Sequence, residues 1–358
     1  MAQSWMRHKV LPSSSQGSQP TRRGTGRAHD RRFSRQPAMR QRDPIDGAGV
    51  NIQLASPIRQ IETEIEAMER DDTLCEEACF GQRLEALEAI ESCILERVDH
   101  LGVAHGETEA LVVLKERAEL LESRLKAVDE RLFHRLREGI RSGTVRGLAL
   151  RRQFEACAGC GRPDRVQNRD TYDSLDALVS GALFAGAAPG EPAPPGPEMV
   201  PYQPTPARIV FELVDMASFR AHDVLYDLGS GLGQVVILAN LLSGVRAKGV
   251  EVDPAYWAYA KRCAHGLGLS QVSFIHADAR QADYGDGTVF FLYTPFEGKM
   301  LQQVLVRLKK EAGTRTIRVY TYGPCTLVVS RQDWLRPVGL VTNHIDRLAA
   351  FRSVRADS

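Results

Sequence analysis

Apolar residues recur every three or four positions in two runs of the N-terminal half. The first run is Leu84, Leu87, Ile90, Ile94, Val98 and Leu101, and the second is Leu111, Leu114, Ala118, Leu121, Leu125, Val128 and Leu132. Each run falls on one face of an α-helix, and Gly102 and Gly106 between them indicate a turn. Residues 58–152 are therefore predicted to form an α-helical hairpin or a dimerising coiled coil.

The C-terminal half shows short apolar runs that alternate with amphipathic stretches. We expect strands near residues 223–228, 246–251, 271–276, 288–293 and 315–322, and helices near 207–218, 233–243, 254–267 and 297–311. Nearly continuous apolar strands separated by helices are typical of a parallel sheet that is covered on both faces. The predicted fold class is α/β, with a doubly wound, mostly parallel Rossmann-like sheet in residues 201–358 and a ligand site at the carboxyl ends of its strands.

Two segments carry neither pattern. Residues 1–57 are rich in Ser, Gln, Gly, Pro and Arg, which predicts a disordered basic tail. An arm that contacts nucleic acid and an Arg-rich transit peptide are the alternatives for this segment. Residues 153–200 are predicted to be a linker because a Gly/Pro-rich run begins near residue 187. This linker includes a short helix at 173–183 that is expected to dock on the α/β domain.

The linker also contains Cys157-Ala-Gly-Cys160. One such pair supplies only two of the four ligands that a structural zinc needs. Cys75 and Cys79 complete the set only if the hairpin folds back, and the alternative is a tight loop with free thiols. We therefore predict no metal site.

Composition narrows the class of protein. Of the 358 residues, 43% are hydrophobic, yet no apolar run approaches the length of about 18 residues that spans a bilayer. We therefore expect a soluble chain. The seven cysteines are an odd number in a long chain, which argues against a secreted disulfide framework and favours a reducing, cytoplasmic compartment.

The net charge of +1 conceals a strong asymmetry along the chain. Residues 59–135 contain 20 acidic and 10 basic residues, so this helical arm does not favour a phosphate backbone. We expect the arm to hold a protein substrate or partner, or to serve in a homodimer. Contact with nucleic acid is the less favoured alternative.

A glycine-rich loop follows the first predicted strand of the α/β domain. Its sequence is Asp227-Leu-Gly229-Ser-Gly231-Leu-Gly233-Gln234. The glycines let the backbone turn sharply and approach a ligand closely. A dinucleotide-binding loop requires a glycine where Gln234 stands, so a nicotinamide dinucleotide is disfavoured. Asp227 favours instead a cofactor with a cationic amino-acid end.

Acidic residues also end the next two predicted strands. Glu251 lies at the end of the second strand, where its carboxylate can accept hydrogen bonds from both hydroxyls of a ribose. Asp278 follows the third strand and provides an acceptor for an exocyclic adenine amine. Taken singly, each acid is more often a solvated strand terminus. Three acids at consecutive strand ends beside a glycine loop indicate a nucleoside site.

The glycine loop together with these three acids resembles the class I S-adenosylmethionine-dependent methyltransferases over roughly residues 200–325. The resemblance implies that the chain is an enzyme that transfers the methyl group of S-adenosyl-L-methionine. The cofactor-binding residues that it implies are Asp227, Gly229, Gly231, Gly233, Gln234, Glu251 and Asp278.

The run from Asp227 to Val236 is also similar to the corresponding loop of the disruptor-of-telomeric-silencing family of histone lysine methyltransferases, which lack a SET domain. That family has an upstream Tyr-Gly-Glu-Thr loop, and Tyr202-Gln-Pro-Thr205 matches its first and last residues. The likeness implies that Tyr202 and Thr205 close over the methionine end of the cofactor. An alternative role for Thr205 is to cap the helix that follows it.

The end of the fourth predicted strand departs from that family. It reads Tyr293-Thr-Pro-Phe296 where the family has Asn-Asn-Phe, so the amide that lines the family's lysine channel is missing. Methyl transfer depends mainly on alignment, exclusion of water and compensating charge. We expect Tyr293 and Phe296 to be the catalytic residues, as walls of a desolvated channel that favours the neutral form of a lysine amine.

The predicted reaction is N-methylation of a protein lysine by S-adenosyl-L-methionine. The same four residues share only their Pro and Phe with the Asp/Asn-Pro-Pro-Tyr/Phe signature of enzymes that methylate amino groups of nucleic acids, which argues against adenine as the acceptor. A methyltransferase for RNA or a small molecule and a non-catalytic cofactor-binding scaffold are the alternatives. The intact glycine loop disfavours the scaffold.

Overall fold

The computed structural model describes residues 47–159, 172–190, 196, 198–339 and 345–354. Its N-terminal half is helical. The helices are α1 (Gly47–Arg70), α2 (Phe80–Ala89), α3 (Glu96–His105), α4 (Glu109–Arg141), α5 (Gly147–Gly159) and α6 (Ser174–Leu183). Two 3₁₀ turns, Asp72–Cys75 and Glu77–Cys79, join α1 to α2, and a π-helical segment, Ile90–Leu95, joins α2 to α3.

Helices α2 and α3 run antiparallel to α4, as a hairpin requires. Three ion pairs connect the two sides: Lys115 with Asp99 at 2.7 Å, Lys126 with Glu91 at 3.1 Å and Arg135 with Glu77 at 2.6 Å. The turn between them includes Gly106 with φ of 87°, and the side chain of Thr108 caps α4. Apolar side chains of the hairpin form the core of the arm.

The arm contains one more helix than we predicted. Helix α1 packs on α4, and its Ile61 and Ile65 are fully buried in the core of the arm. Residues 54, 58, 61, 65 and 68 are all apolar, so the helical period was present in the sequence. The helix also includes residues 47–57, which we assigned to the disordered tail; residues 1–46 lie outside the described residues.

A buried ion pair joins α2 to α4. Arg83 Nε lies 2.6 Å from Asp129 Oδ1, and the two residues are 0% and 3% exposed. Arg83 Nη1 also donates to the carbonyls of Leu74 and Glu76, in the turns before α2. Desolvation raises the pKa of Asp129 to about 6, although Arg83 acts in the opposite direction. Through these contacts, Arg83 and Asp129 hold α2, α4 and the two 3₁₀ turns together.

The C-terminal half is an α/β domain, which confirms the predicted fold class. Its helices are α7 (Ala207–Ala217), α8 (Gln234–Ser243), α9 (Pro254–Gly266), α10 (Gly298–Thr314) and α11 (Cys325–Val329). Its strands are β1 (Val224–Leu228), β2 (Arg246–Glu251), β3 (Val272–His276), β4 (Val289–Tyr293), β5 (Arg318–Tyr322), β6 (Leu335–Pro337) and β7 (Ala349–Ser353). Every predicted helix and strand of this domain is present, whereas α11, β6 and β7 were not predicted.

The seven strands form one sheet in the order β3-β2-β1-β4-β5-β7-β6. Strands β1 to β5 are parallel, and β7 pairs antiparallel with both β5 and β6. The chain changes direction across the sheet between β3 and β4, which leaves β1 next to β4. In doubly wound sheets, ligands bind at the carboxyl ends of the strands beside this position.

Helix α6 docks on the α/β domain, as predicted. Leu178 and Val179 are fully buried in a core that also includes Val210 of α7 and Val236 of α8. Phe133 of α4 belongs to the same core. The C-terminal part of α4 therefore packs in a core that it shares with the α/β domain, whereas the rest of the hairpin has a core of its own. The domain boundary predicted near residue 200 stays a prediction.

Cys157 lies in a helix and not in a linker, because α5 extends to Gly159. It is buried, and Cys160 lies outside the described residues. Within the described ranges, no three His, Cys, Asp or Glu side chains are grouped so that they could hold a metal ion. None of the described helices combines the length and the apolar character needed to cross a membrane.

Candidate active site

The glycine-rich loop turns the chain from β1 into α8. Gly229, Gly231 and Gly233 have φ values of 79°, 52° and 87°, which favour glycine. Neighbouring groups also leave no space for side chains. A Cβ on Gly231 would lie 2.0 Å from Cε2 of Tyr202, and one on Gly229 would lie 2.4 Å from Cβ of Pro295. The loop is therefore packed closely between the segment around Tyr202 and the end of β4.

Asp227 lies near the carboxyl end of β1 with only 4% of its surface exposed. Burial raises the pKa of its carboxyl group to about 8, and the charge of Glu251 acts in the same direction. No cation among the described residues contributes to this pKa. A buried carboxylate without a counter-ion is costly to ionise, so the position suits a ligand that brings positive charge.

Glu251 ends β2 and faces the same loop. Its Oε2 accepts a hydrogen bond from the N–H of Gly231 at 2.7 Å, and its Oε1 accepts one from the N–H of Asp253 at 2.8 Å. Burial raises the pKa of Glu251, although these backbone donors act in the opposite direction. Each carboxylate oxygen retains a further acceptor position. The predicted contact with ribose hydroxyls is therefore compatible with this geometry and stays a prediction.

Asp278 stands just beyond β3, where its carboxylate pairs with Arg280. The shortest distance between the two groups is 2.6 Å, and both carboxylate oxygens accept hydrogen bonds from the guanidinium. The hydrogen bonds from Arg280 lower the pKa of Asp278. Ala277 and Ala279 line the cavity described below. The role of Asp278 as an acceptor for an adenine amine stays a prediction.

Residues 198–206, here named the lid segment, lie against the glycine loop. The ring of Tyr202 packs edge-on against Tyr256 with a centroid distance of 5.2 Å, and burial raises the pKa of Tyr202. The carbonyl of Thr205 accepts a hydrogen bond from Gln234 Nε2 at 2.6 Å. Gln234 is 4% exposed, so its side chain holds the lid segment; contact with a cofactor stays a prediction.

Groups before α7 hold the same segment. The hydroxyl of Tyr172 donates to the carbonyl of Pro204 at 2.5 Å. Asp176 Oδ1, from α6, accepts a hydrogen bond at 2.6 Å from the first backbone N–H of α7. Burial raises the pKa of Asp176 to about 7. The alternative in which Thr205 caps α7 is therefore wrong, because the residue after it takes the N-cap position and Asp176 supplies the acceptor.

The end of β4 forms another wall of the site. The rings of Tyr293 and Tyr322 lie 4.8 Å apart at an angle of 50°. Thr294 has φ of 37°, and its hydroxyl donates to the carbonyl of Tyr322 and accepts from the N–H of Cys325, both at 3.2 Å. Phe296 is 3% exposed and packs in the core between the sheet and α10. Tyr293 thus presents more surface to the site than Phe296 does.

A cavity of about 730 Å³ opens between the lid segment and the carboxyl ends of the strands. It is lined by Tyr202, Gly229, Glu251, Asp253, Tyr293, Phe296, Glu297, Tyr322 and Asp346, among others. Four of these are acidic, and none of the described lining residues is Lys, Arg or His.

Sequence reasoning did not include Tyr322, Glu297 or Asp346 in the site. Tyr322 ends the strand next to β4 and was detectable from that position. Glu297 lies four residues after the end of β4, so its position in the sequence was also informative. Asp346 precedes the unpredicted strand β7, and only the fold brings it to the cavity.

Comparison with known proteins gives a related sequence but no matching family model. The chain is 30% identical over 122 residues to a protein-lysine N-methyltransferase of Saccharolobus islandicus, a match that covers 33% of this chain and 74% of that protein. An RNA methyltransferase from Salinibacter ruber, solved with S-adenosyl-L-homocysteine, is 28% identical and matches 44% of this chain and 96% of its own, with a TM-score of 0.35. A precorrin-6y C5,15-methyltransferase from Geobacter metallireducens GS-15 is 15% identical, over 42% of this chain and 90% of its own, with a TM-score of 0.33.

Proposed function

The chain belongs to the class I S-adenosylmethionine-dependent methyltransferases, and we propose that it N-methylates lysine side chains of a protein substrate. The observation that carries this proposal is the lining of the cavity, which has four acidic residues, two adjacent tyrosines and no basic side chain among its described residues. Such a cavity favours an amine-bearing substrate and repels one that carries phosphate. The related protein from Saccharolobus islandicus is a protein-lysine N-methyltransferase, which supports the same chemistry.

The residues of the site fit the cofactor. Asp227 offers buried negative charge that lacks a counter-ion among the described residues, which suits the cationic amino-acid end of the molecule. Glu251 retains acceptor positions for the ribose hydroxyls. A side chain on Gly229 or Gly231 would collide with its neighbours, so the backbone stays open to a ligand there. S-adenosylmethionine supplies a methyl carbon that its sulfonium already activates for displacement.

The remaining requirements for methyl transfer concern the part of the cavity that would hold the lysine amine. A lysine amine has a reference pKa of about 10.4, so it must lose its proton before it can accept the methyl group. Desolvation beside apolar groups lowers the pKa of an amine. Tyr293 and Tyr322 present adjacent rings to the cavity, and they would exclude water from the amine and hold it in line with the cofactor. Phe296 supports this wall from the core.

The closer likeness to histone lysine methyltransferases, carried by Tyr202 and Thr205, is compatible with this function and stays a prediction. We further propose that the acidic arm holds the protein substrate or a partner, with homodimerisation as the alternative use of that surface. A cytoplasmic setting is part of the proposal, because no disulfide bond joins the described cysteines.

The test uses the full chain and S-adenosylmethionine labelled in its methyl group, with protein, RNA and metabolite fractions as separate substrates. We expect label in protein, recovered as methyllysine after hydrolysis. Asp227→Asn should abolish most of the label because Asp227 is buried beside the glycine loop, whereas Asp333→Asn should not, because Asp333 is exposed and pairs with Lys309 on the surface. Label confined to RNA or metabolites would overturn the proposal, and label in no fraction would restore the scaffold alternative.

A further inference from the structure

The N-terminus of α10 is capped by a residue from a distant part of the chain. Glu297 occupies the N-cap position, yet its side chain makes no capping hydrogen bond. The two carboxylate oxygens of Glu198 accept hydrogen bonds from the N–H groups of Lys299 and Met300, each at 3.0 Å. These backbone donors lower the pKa of Glu198, so its carboxylate is charged at neutral pH and complements the helix dipole.

Several contacts hold Glu198 in place at a conformational cost. It has φ of 66°, which is uncommon for a residue with a side chain. Its carbonyl accepts a hydrogen bond from the N–H of Glu297 at 2.8 Å, and Met199 forms a β-bridge with Phe296. A Cβ on Gly298 would lie 2.5 Å from Glu198 Oε1, so this cap also requires a glycine. Glu198 of the lid segment therefore caps α10, and the side chain of Glu297, at the N-cap position, takes no part in the cap.

The side chain of Glu297 is exposed at the cavity. It lines the cavity and has no hydrogen bond or ion pair with any of the described residues. Asp346 is likewise exposed and lines the same cavity. Tyr322 is buried and Tyr293 is half-buried, so the two rings lie deeper than the two acids. On this side of the cavity, two aromatic rings thus lie inside and the carboxylates of Glu297 and Asp346 lie at the rim.

We propose that Glu297, assisted by Asp346, selects substrates in which a positively charged residue lies next to the acceptor lysine. This inference rests on the proposed lysine methylation and specifies the segment that is recognised. A carboxylate in contact with the acceptor ammonium would favour its charged form and oppose methyl transfer. A carboxylate at the rim avoids this effect, because a neighbouring Lys or Arg side chain keeps its charge throughout the reaction.

The test compares two peptides that share one acceptor lysine, flanked by Arg in the first and by Gln in the second. The wild-type chain should show a higher kcat/KM for the first peptide. Glu297→Gln should lower the ratio of the two values by about two- to fivefold, as expected for the loss of an exposed ion pair. Glu212→Gln removes the same charge from α7, away from the cavity lining, and should keep the wild-type ratio.

Two further measurements separate recognition from damage to the fold. Thermal unfolding and the affinity for S-adenosylmethionine should not change in Glu297→Gln, because that side chain has no partner among the described residues. Raising the ionic strength from about 0.01 M to about 1 M shortens the Debye length from about 30 Å to about 3 Å. This change should lower the wild-type ratio and leave the ratio of the variant nearly constant.

The possible failures are distinguishable. If Glu297→Gln and Asp346→Asn both keep the wild-type ratio, the assignment of the rim is overturned while lysine methylation stands. If methyllysine appears in the protein fraction but the wild-type chain methylates neither peptide, this inference is overturned alone. If no methyllysine appears in protein, the proposed function is overturned and this inference with it.

Discussion

Replacing Gly231 by alanine tests the close packing between the lid segment and the glycine loop. An added Cβ would lie 2.0 Å from Cε2 and 2.3 Å from Cδ2 of Tyr202, closer than real Cβ contacts. Either the ring of Tyr202 or the backbone of the loop must therefore move. Because Gly231 also donates its N–H to Glu251, a shift of the loop would disturb the proposed ribose contact. We expect both stability and cofactor affinity to fall.

Three contributions set the size of the change in stability. The left-handed conformation of Gly231, with φ of 52°, costs an alanine about 1–2 kcal/mol. About 0.4–1 kcal/mol is recovered because alanine restricts the unfolded chain. The collision with Tyr202 adds the cost of an overpacked site, about 1–3 kcal/mol. Gly231→Ala should therefore lower the free energy of unfolding by about 2–4 kcal/mol.

Gly244→Ala is the matched control. Gly244 has φ of 74°, and a Cβ there would meet no atom of the described residues within 4 Å, so only the conformational cost of about 1 kcal/mol remains. Urea denaturation measures the free energies of unfolding, and calorimetry measures the affinity for S-adenosylmethionine. We expect an affinity loss of about tenfold or more for Gly231→Ala, which corresponds to about 1.4 kcal/mol, and none for the control.

A second variant isolates the collision. In Tyr202→Ala/Gly231→Ala the ring is absent, so the two changes should be non-additive by about 1–3 kcal/mol. The reasoning is refuted if Gly231→Ala costs no more than Gly244→Ala and the effects of the double variant simply add. That result would place Tyr202 away from the loop in solution.

Three further changes test other parts of the molecule. Because burial raises the pKa of Asp227 to about 8, binding of a cationic cofactor should release a proton, and calorimetric affinity should rise between about pH 6 and about pH 7.5. Arg83→Met leaves Asp129 buried without its partner and should lower the free energy of unfolding in urea by about 3–5 kcal/mol. Gly181→Ala places a Cβ 2.2 Å from Cζ of Phe133 and should lower the thermal midpoint through a cost of about 1–3 kcal/mol.

Each of these changes has its own control. Asp227→Asn should remove the rise of cofactor affinity with pH. An equal rise in that variant would mean that a group other than Asp227 releases the proton. Arg83→Met/Asp129→Leu should be less destabilised than Arg83→Met, because no buried charge is left alone; equal costs would contradict the account of this pair. A Cβ on Gly159 would meet none of the described atoms within 4 Å, so Gly159→Ala should leave the thermal midpoint nearly unchanged, in contrast to Gly181→Ala.

The amino-acid sequence by itself determined the five parallel strands of the α/β domain and the helices α7 to α10. The first strand was expected at 223–228 and spans Val224–Leu228, because a buried parallel strand needs a continuous apolar run. The glycines at 229, 231 and 233 all adopt positive φ, as their spacing in a strand-to-helix turn predicted. These features depend on residues that are close together in the sequence, so the local sequence pattern is enough to predict them.

Only the tertiary structure decided how the site is held and which residues surround it. Glu198 caps a helix that begins 100 residues later, and Asp176 caps α7 from another helix. The position of β7 between β5 and β6 brings Asp346 to the cavity. Contacts of this kind depend on which distant segments the packed core brings together, and a single capping or ion-paired side chain leaves no periodic signal in the sequence.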